Sequence, residues 1–370
     1  MMTILVFIII LGILVLAHEF GHFVTAKKSG VNVEEFGVGF PPRAWSKKGK
    51  DGVIYSINWI PLGGFVKLKG EDGSQNTDPD SFANKPARVK ALILSAGVIM
   101  NVILAFVLFS FGFMFGLPVS ISSDQLNDPN IYNVKIQISG VIKDSAADIA
   151  GIKIGDQVVM IDGAEMKTIE QVQEYIQVNQ ENELNLMLIN GGKITEVKAA
   201  PFEIKDFSEG KVLGVNLVQT GTAKYGFFKS WYRGAIATWN IIVAIVVAFY
   251  NIFKDLFAGL GLSAHISGPV GVAVIAGQVI TMGWIYVLQF AAVLSLNLAV
   301  LNFLPFPALD GGRFLFLIIE KIRRKPNNRL IENMVHNIGF TLLMLLVVFV
   351  TYRDIVKFGG GFIDRIKNMF

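Results

Sequence analysis

The chain contains no cysteine. Disulfides are excluded, and so is any metal site built on thiolate, which leaves histidine and carboxylate as the metal-binding side chains. Histidine is itself scarce, with four in 370 residues. Charged residues make up only 17% of the chain, and its net charge of +4 gathers into no basic patch of the kind that nucleic acids bind. No nucleic-acid partner is expected. What fills the chain is apolar: 52% of residues are hydrophobic and the mean hydropathy is +0.53, beyond the usual soluble domain. The length leaves room for several membrane spans and one modest soluble domain.

Four segments are apolar over about twenty residues: 3–26, 89–117, about 282–304 and about 335–352. The first has neither a basic n-region nor a small-residue cleavage site, so it is expected to be retained. Basic residues crowd the connection from Lys27 to Lys90 and again that from Arg313 to Arg329. The bias of such residues toward the cytoplasm puts both connections inside, and both termini and residues 119–222 outside. A fifth apolar stretch, 236–253, is flanked by Trp231, Tyr232 and Arg233 and by Lys254 and Asp255. Crossing alone, it would reverse the second basic connection, so it is expected to lie along or dip into the outer interface. The alternative is a fifth span paired with 266–279 as a short return.

The expected division is then 1–26, first transmembrane helix; 27–88, cytoplasmic loop with a membrane-associated β-hairpin; 89–117, second helix; 120–222, extracytoplasmic domain; and 223–279, interfacial helices. It continues with 280–305, third helix; 306–334, cytoplasmic Asp-Gly loop and basic helix; 335–353, fourth helix; and 354–370, extracytoplasmic tail. Within the loop, residues 55–68 alternate and turn like a hairpin, with Gly63 and Gly64 at the turn. The outer domain reads as α+β. Residues 134–141 and 157–161 are expected strands and 169–178 a helix. A hairpin of 184–189 and 194–199 follows, turning at Asn190-Gly191-Gly192.

The end of the first apolar run carries His18-Glu19-Phe20-Gly21-His22. Two histidines four apart on a helix share one face and can hold one metal ion, while the intervening Glu reaches a water on it. In lipid such a set is costly unless it faces protein or a water cavity. The pattern reads as a zinc hydrolase site within the membrane. A third ligand has to come from elsewhere. His265 falls in the interfacial region, and His336 reads as a helix-end residue with no partner at metal-binding spacing. Asp310 is the better candidate, because Pro305 and Pro307 stop the third span just before it and Gly311-Gly312 follow it. Both spans run inward, so His22 and Asp310 reach the same depth.

Taken together, these motifs resemble the site-2 protease family of intramembrane zinc metalloproteases, in its bacterial branch around the regulator of sigma-E protease. The resemblance covers essentially the whole chain. Phe36-Gly37-Val38-Gly39-Phe40-Pro41-Pro42 and Pro61-Leu62-Gly63-Gly64-Phe65-Val66 match the family's first loop, where it has a re-entrant β-hairpin. Gly97 and Asn101 match its Gly-x-x-x-Asn pattern, with Val98 in place of a usual proline, and Ser267-Gly268-Pro269-Val270-Gly271 matches the stretch before the third span. Gly140 to Ala147, Ala150 to Asp156 and Ile161-Asp162-Gly163 are similar to a bacterial PDZ domain, with Leu213-Gly214-Val215 as closing strand; there is room for one such domain, not the sigma-E protease's two.

The resemblance implies a four-span membrane protein with a re-entrant hairpin and an inserted α+β PDZ domain, in the bacterial inner membrane. It implies zinc on His18, His22 and Asp310, and Glu19 as general base. Asn302 would stabilise the oxyanion or clamp the substrate backbone, and the strand around Gly64, Phe65 and Val66 would hold substrate extended. Gly97 and Asn101 would be structural neighbours of the site. The implied partners are the bilayer, single-span proteins already cut outside, classically an anti-sigma factor, or signal-peptide remnants, and a peptide or C-terminus on the PDZ domain. Two alternatives are a membrane metal transporter and a catalytically silent PDZ scaffold. Glu19 argues against the first, which has no need of a base beside its ligand, and the intact motif argues against the second.

Overall fold

The computed structural model describes residues 2–71, 78–122, 125–126, 128–142, 144–190, 193–203, 210–259, 268–325 and 327–367. Lys143, Gly191, Gly192, His265 and Ser267, used in the sequence reading, lie outside the described residues. The chain divides into two units, Met1–Gly112 with Trp231–Phe370 and Phe113–Ser230.

In chain order the first unit begins with α1 (Met2–Lys28), β1 (Val33–Lys48), β2 (Ile54–Leu68) and α2 (Ala87–Phe115). The second contains β3 (Leu117–Ser120), β4 (Ile131–Val141), α3 (Ala146–Ile149), β5 (Gln157–Ile161), β6 (Ala164–Glu165) and α4 (Ile169–Val178). It continues with β7 (Leu184–Asn190), β8 (Lys193–Ala199), β9 (Phe202–Glu203), β10 (Lys211–Val212) and β11 (Val215–Ala223). Helices α5 (Phe227–Phe257), α6 (Pro269–Met282), α7 (Trp284–Phe303), α8 (Asp310–Arg323) and α9 (Arg329–Lys367) complete the chain.

Among the described residues, five helices are long and apolar enough to cross a membrane: Leu5–Lys28, Ala87–Phe115, Phe227–Asp255, Trp284–Phe303 and Leu330–Val356. Four were expected. The difference is α5, which absorbs the 236–253 stretch into one helix of 31 residues. Trp231, Tyr232 and Arg233, read as flanks, break no helix and are simply its second turn. Helix α9 likewise runs past the expected boundary at 353, because no proline stops it.

Small residues let these helices touch backbone to backbone, the usual means of association where lipid supplies no hydrophobic drive. A Cβ on Gly21 of α1 would strike the carbonyl oxygen of Ala96 in α2 and stand 2.9 Å from Met100 Cβ. Helix α9 holds the start of α6 differently: the buried Asp354 carboxylate accepts the Gly271 N–H at 2.7 Å.

Strands β1 and β2 form a sheet that is more folded than the expected hairpin. Lys48, Ser46 and Arg43 lie opposite Ile54, Ser56 and Asn58, an ordinary antiparallel hairpin closed by the turn at Gly49–Gly52. The first half of β1 is then flanked on both sides by β2. Phe36, Gly37 and Val38 pair with Tyr55, Ser56 and Ile57, their numbers rising together, and also with Val66, Phe65 and Gly64, in the opposite sense. Residues 55–68 do turn, with Gly63 at φ 86°, but their two arms enclose β1 instead of pairing with each other. Alternation fixes which residues share a face and says nothing of the partner strand. The last arm, Gly64 to Leu68, has no strand on its outer side among the described residues.

The second unit is a seven-stranded sheet in the order β3-β11-β4-β5-β7-β8, with β6 beside β5. Leu184, Leu186 and Leu188 alternate inward from β7 and meet Ile136 and Ile138 of β4, Val158 and Ile161 of β5, and Val172 and Ile176 of α4. Thr168 caps α4 by accepting the Gln171 N–H. The closing strand begins at Val215, since Gly214 at φ 80° leaves strand geometry. Leu186→Ala would open a cavity in this core and should destabilise the unit by about 2–5 kcal/mol. Hydrogen exchange of the β5 and β7 amides in the full chain measures it; unchanged protection would show that this core does not hold the unit.

Candidate metal centre

His18 and His22 stand one turn apart on α1, and both present Nε2 to the same point. His18 Nε2 lies 3.0 Å from Asp310 Oδ2, His22 Nε2 lies 3.2 Å from the same oxygen, and the two nitrogens are 3.2 Å apart. His22 donates its Nδ1–H to the Ile93 carbonyl of α2 at 2.8 Å, which leaves Nε2 with a free lone pair. His18 Nδ1 is buried and has no such acceptor among the described residues.

Three metal-binding atoms therefore crowd one point that a single cation could share. Atoms bound tetrahedrally at about 2.0–2.1 Å to one zinc ion stand about 3.3 Å from each other. The triangle fits that demand. With two imidazoles and one carboxylate it also leaves a fourth position open, the pattern of hydrolytic rather than structural zinc sites.

Asp310 reaches the point because the chain breaks. Helix α7 ends at Phe303, Pro305 and Pro307 cannot continue it, and Asp310 opens α8 as its first residue, where the helix dipole favours a carboxylate. The two following glycines are required by contact. A Cβ on Gly311 would strike the carbonyls of Phe303 and Leu304, and one on Gly312 would strike that of Phe306 and stand 3.1 Å from Pro307 Cα. Ala308 sits at φ 83°, in the left-handed region.

The other residues singled out by sequence divide unevenly. A Cβ on Gly97 of α2 would stand 2.7 Å from His18 Cε1 and Nε2 and would strike His22 Nε2, so Gly97 borders the centre directly. Asn302 Nδ2 is 3.5 Å from His18 Nε2. Glu19 lies against the open strand, its Cγ 3.6 Å from where a Cβ on Gly64 would be. Phe65 and Val66 do not face the centre. The Phe65 ring covers Gly37, and Val66 packs on the cluster of Ala26, Val31, Val33, Val53, Leu68 and Ile93. Asn101, fully buried one turn beyond Gly97, accepts Ser295 Oγ–H on its carbonyl at 2.8 Å and so links α2 to α7.

Two contacts were not legible in the sequence. Arg313, one turn after Asp310, pairs with Glu71 just beyond β2. His336 is not a helix-end residue: it lies seven residues into α9, and its Nδ1 accepts the Ala308 N–H at 2.9 Å. Neither pair has a spacing that sequence could reveal.

Residues 6–346 match the sequence profile of peptidase family M50. The chain is 31% identical over 436 residues to the regulator of sigma-W protease RasP of Bacillus subtilis, with 96% of this chain and 98% of that one covered. It is 30% identical over 435 residues to the zinc metalloprotease RasP of Geobacillus kaustophilus, with the same shares covered. Gly97→Ala, which drives a methyl group into both imidazoles, should lower the metal content of the purified protein; elemental analysis showing a full equivalent would remove Gly97 from the centre.

Proposed function

The chain belongs to peptidase family M50, and we propose that His18, His22 and Asp310 hold its zinc ion while Glu19 acts as general base. The protein is a zinc metalloprotease of the site-2 type, working by regulated intramembrane proteolysis. The observation that carries the site assignment is the convergence of three metal-binding atoms within 3.2 Å of one another. Zinc, when bound, makes hydroxide available near pH 7 and acts as a Lewis acid toward the scissile carbonyl.

Glu19 takes the proton of the attacking water and passes it to the leaving amine. Asn302 donates a hydrogen bond to the developing oxyanion or to the substrate backbone. The outer edge at Gly64 to Val66, which faces no strand among the described residues, supports strand addition by an unwound substrate, whose backbone then runs past Glu19. A transmembrane helix keeps every backbone group paired and so shields its peptide bonds. The edge replaces the pairing that unwinding removes.

The substrates are single-span membrane proteins already shortened on the outside, anti-sigma factors foremost; the name of the Bacillus relative supports this. The α+β unit is a PDZ domain outside the membrane, binding a peptide or limiting access. The protein is a multi-pass protein of the bacterial inner membrane, with four spans, α5 at the outer interface and both termini outside. One contact supports this topology. Asp354, which caps α6, lies fifteen residues or about 22 Å along α9 from Gly339, which packs on Pro307 beside the centre. Helix α6 thus enters far from the level of Asp310, as it must if α5 makes no net crossing.

Glu19→Gln is expected to abolish cleavage of a model single-span substrate while zinc stays bound. His22→Ala and Asp310→Asn should lose both. Substantial turnover by the Gln variant would refute the general base, and undiminished zinc in the other two would refute the ligands. For topology, cysteines placed singly at Lys50, Lys193 and Arg324 can be probed with an impermeant thiol reagent. Labelling from outside is expected at position 193 alone; labelling at 324 would overturn the orientation and with it the placing of Asp310.

A further inference from the structure

We infer that His336 is a positioning residue for the metal centre, holding the Pro307–Asp310 segment in the one conformation that delivers the Asp310 carboxylate. The inference rests on the reading of Asp310 as a ligand. Its starting point is Ala308, whose φ of 83° is one that an L-residue with a Cβ keeps only where its surroundings impose it. Ala308 lies two residues before Asp310, so a relaxation of its backbone would swing the carboxylate away from the two histidines.

What imposes the conformation is α9. His336 Nδ1 accepts the Ala308 N–H at 2.9 Å. Without it that N–H would be left without this partner in an apolar interior. One turn further, Gly339 packs against Pro307: a Cβ there would strike Pro307 Cβ and stand 2.7 Å from its carbonyl oxygen. The imidazole is held in turn by the Phe316 ring of α8, at 5.3 Å between centroids. With Nδ1 accepting, the ring proton sits on Nε2, which is buried and has no partner among the described residues. The hydrogen bond at Nδ1 thus goes to the strained residue. The segment is thus gripped at Pro307 and Ala308 by two residues of a single helix face.

The test compares zinc affinity, by chelator competition, in the full chain purified in detergent. His336→Leu removes the acceptor at roughly the same side-chain volume, whereas His336→Asn, though smaller, restores an acceptor at the same δ position. Loss of a group that orients a ligand typically costs about 10–100-fold in metal affinity, so the Leu variant should fall in that range and the Asn variant within about threefold of wild type. Asp310→Ala should bind zinc more weakly than either. If Asp310→Ala loses zinc while His336→Leu binds as wild type, or if Asn is as weak as Leu, the positioning role is overturned and the ligand set stands. If Asp310→Ala keeps wild-type affinity, the ligand set falls and this role with it. Should the Leu variant not yield a monodisperse particle, Gly339→Ala keeps His336 and presses on Pro307. It should also weaken zinc binding, and wild-type affinity there would overturn the inference.

Discussion

Three metal-binding atoms, brought to 3.0–3.2 Å within a largely apolar bundle, are the constraint on which the rest of this molecule turns. In water such a cluster would drift apart. Here it cannot, because two of the atoms are fixed to α1 by helical spacing and the third to the first residue of α8. The desolvation that makes the arrangement costly also strengthens its attraction for a divalent cation. Burial and metal affinity are two faces of one effect.

Holding the cluster together is largely the task of residues that have no side chain. Gly21 brings α2 against α1, Gly97 leaves room for both imidazoles, Gly311 and Gly312 admit the carbonyls of the broken segment, and Gly339 seats that segment on α9. Each removes a Cβ where backbone or ring must pass. Close approach in a membrane replaces the hydrophobic burial that stabilises the α+β unit, whose Leu184, Leu186 and Leu188 are packed in the ordinary soluble way. One chain uses two packing regimes.

The readable part of this design was the local part. His18, Glu19 and His22 lie within one helical turn, and the proline and glycine punctuation around Asp310 marks a broken helix without any knowledge of the fold. The α4 helix was legible to its ends because Thr168 caps it and its apolar positions keep a helical period. The enclosed strand of β1 was not, since a period of two cannot say whether residues 55–60 face 64–68 or a third segment. Nor was the role of His336, whose partner is a backbone N–H twenty-eight residues away that no side-chain pattern advertises. The length of α5 escaped for a simpler reason: aromatic and charged residues that mark a membrane surface are also tolerable within a helix.

The bare edge of β2 has one more consequence. On the side away from β1, the stretch from Gly64 to Val66 faces no strand among the described residues and lies beside the apolar helix α1, while the Leu68 N–H and C=O bond to Glu71. In hydrocarbon each unpaired backbone group would cost several kcal/mol. An edge left open in this way calls for water, and Glu19 lies beside it. A hydrolase buried in a bilayer must find its second reactant somewhere, and on the proposed reading the edge that receives the peptide also keeps that reactant at hand.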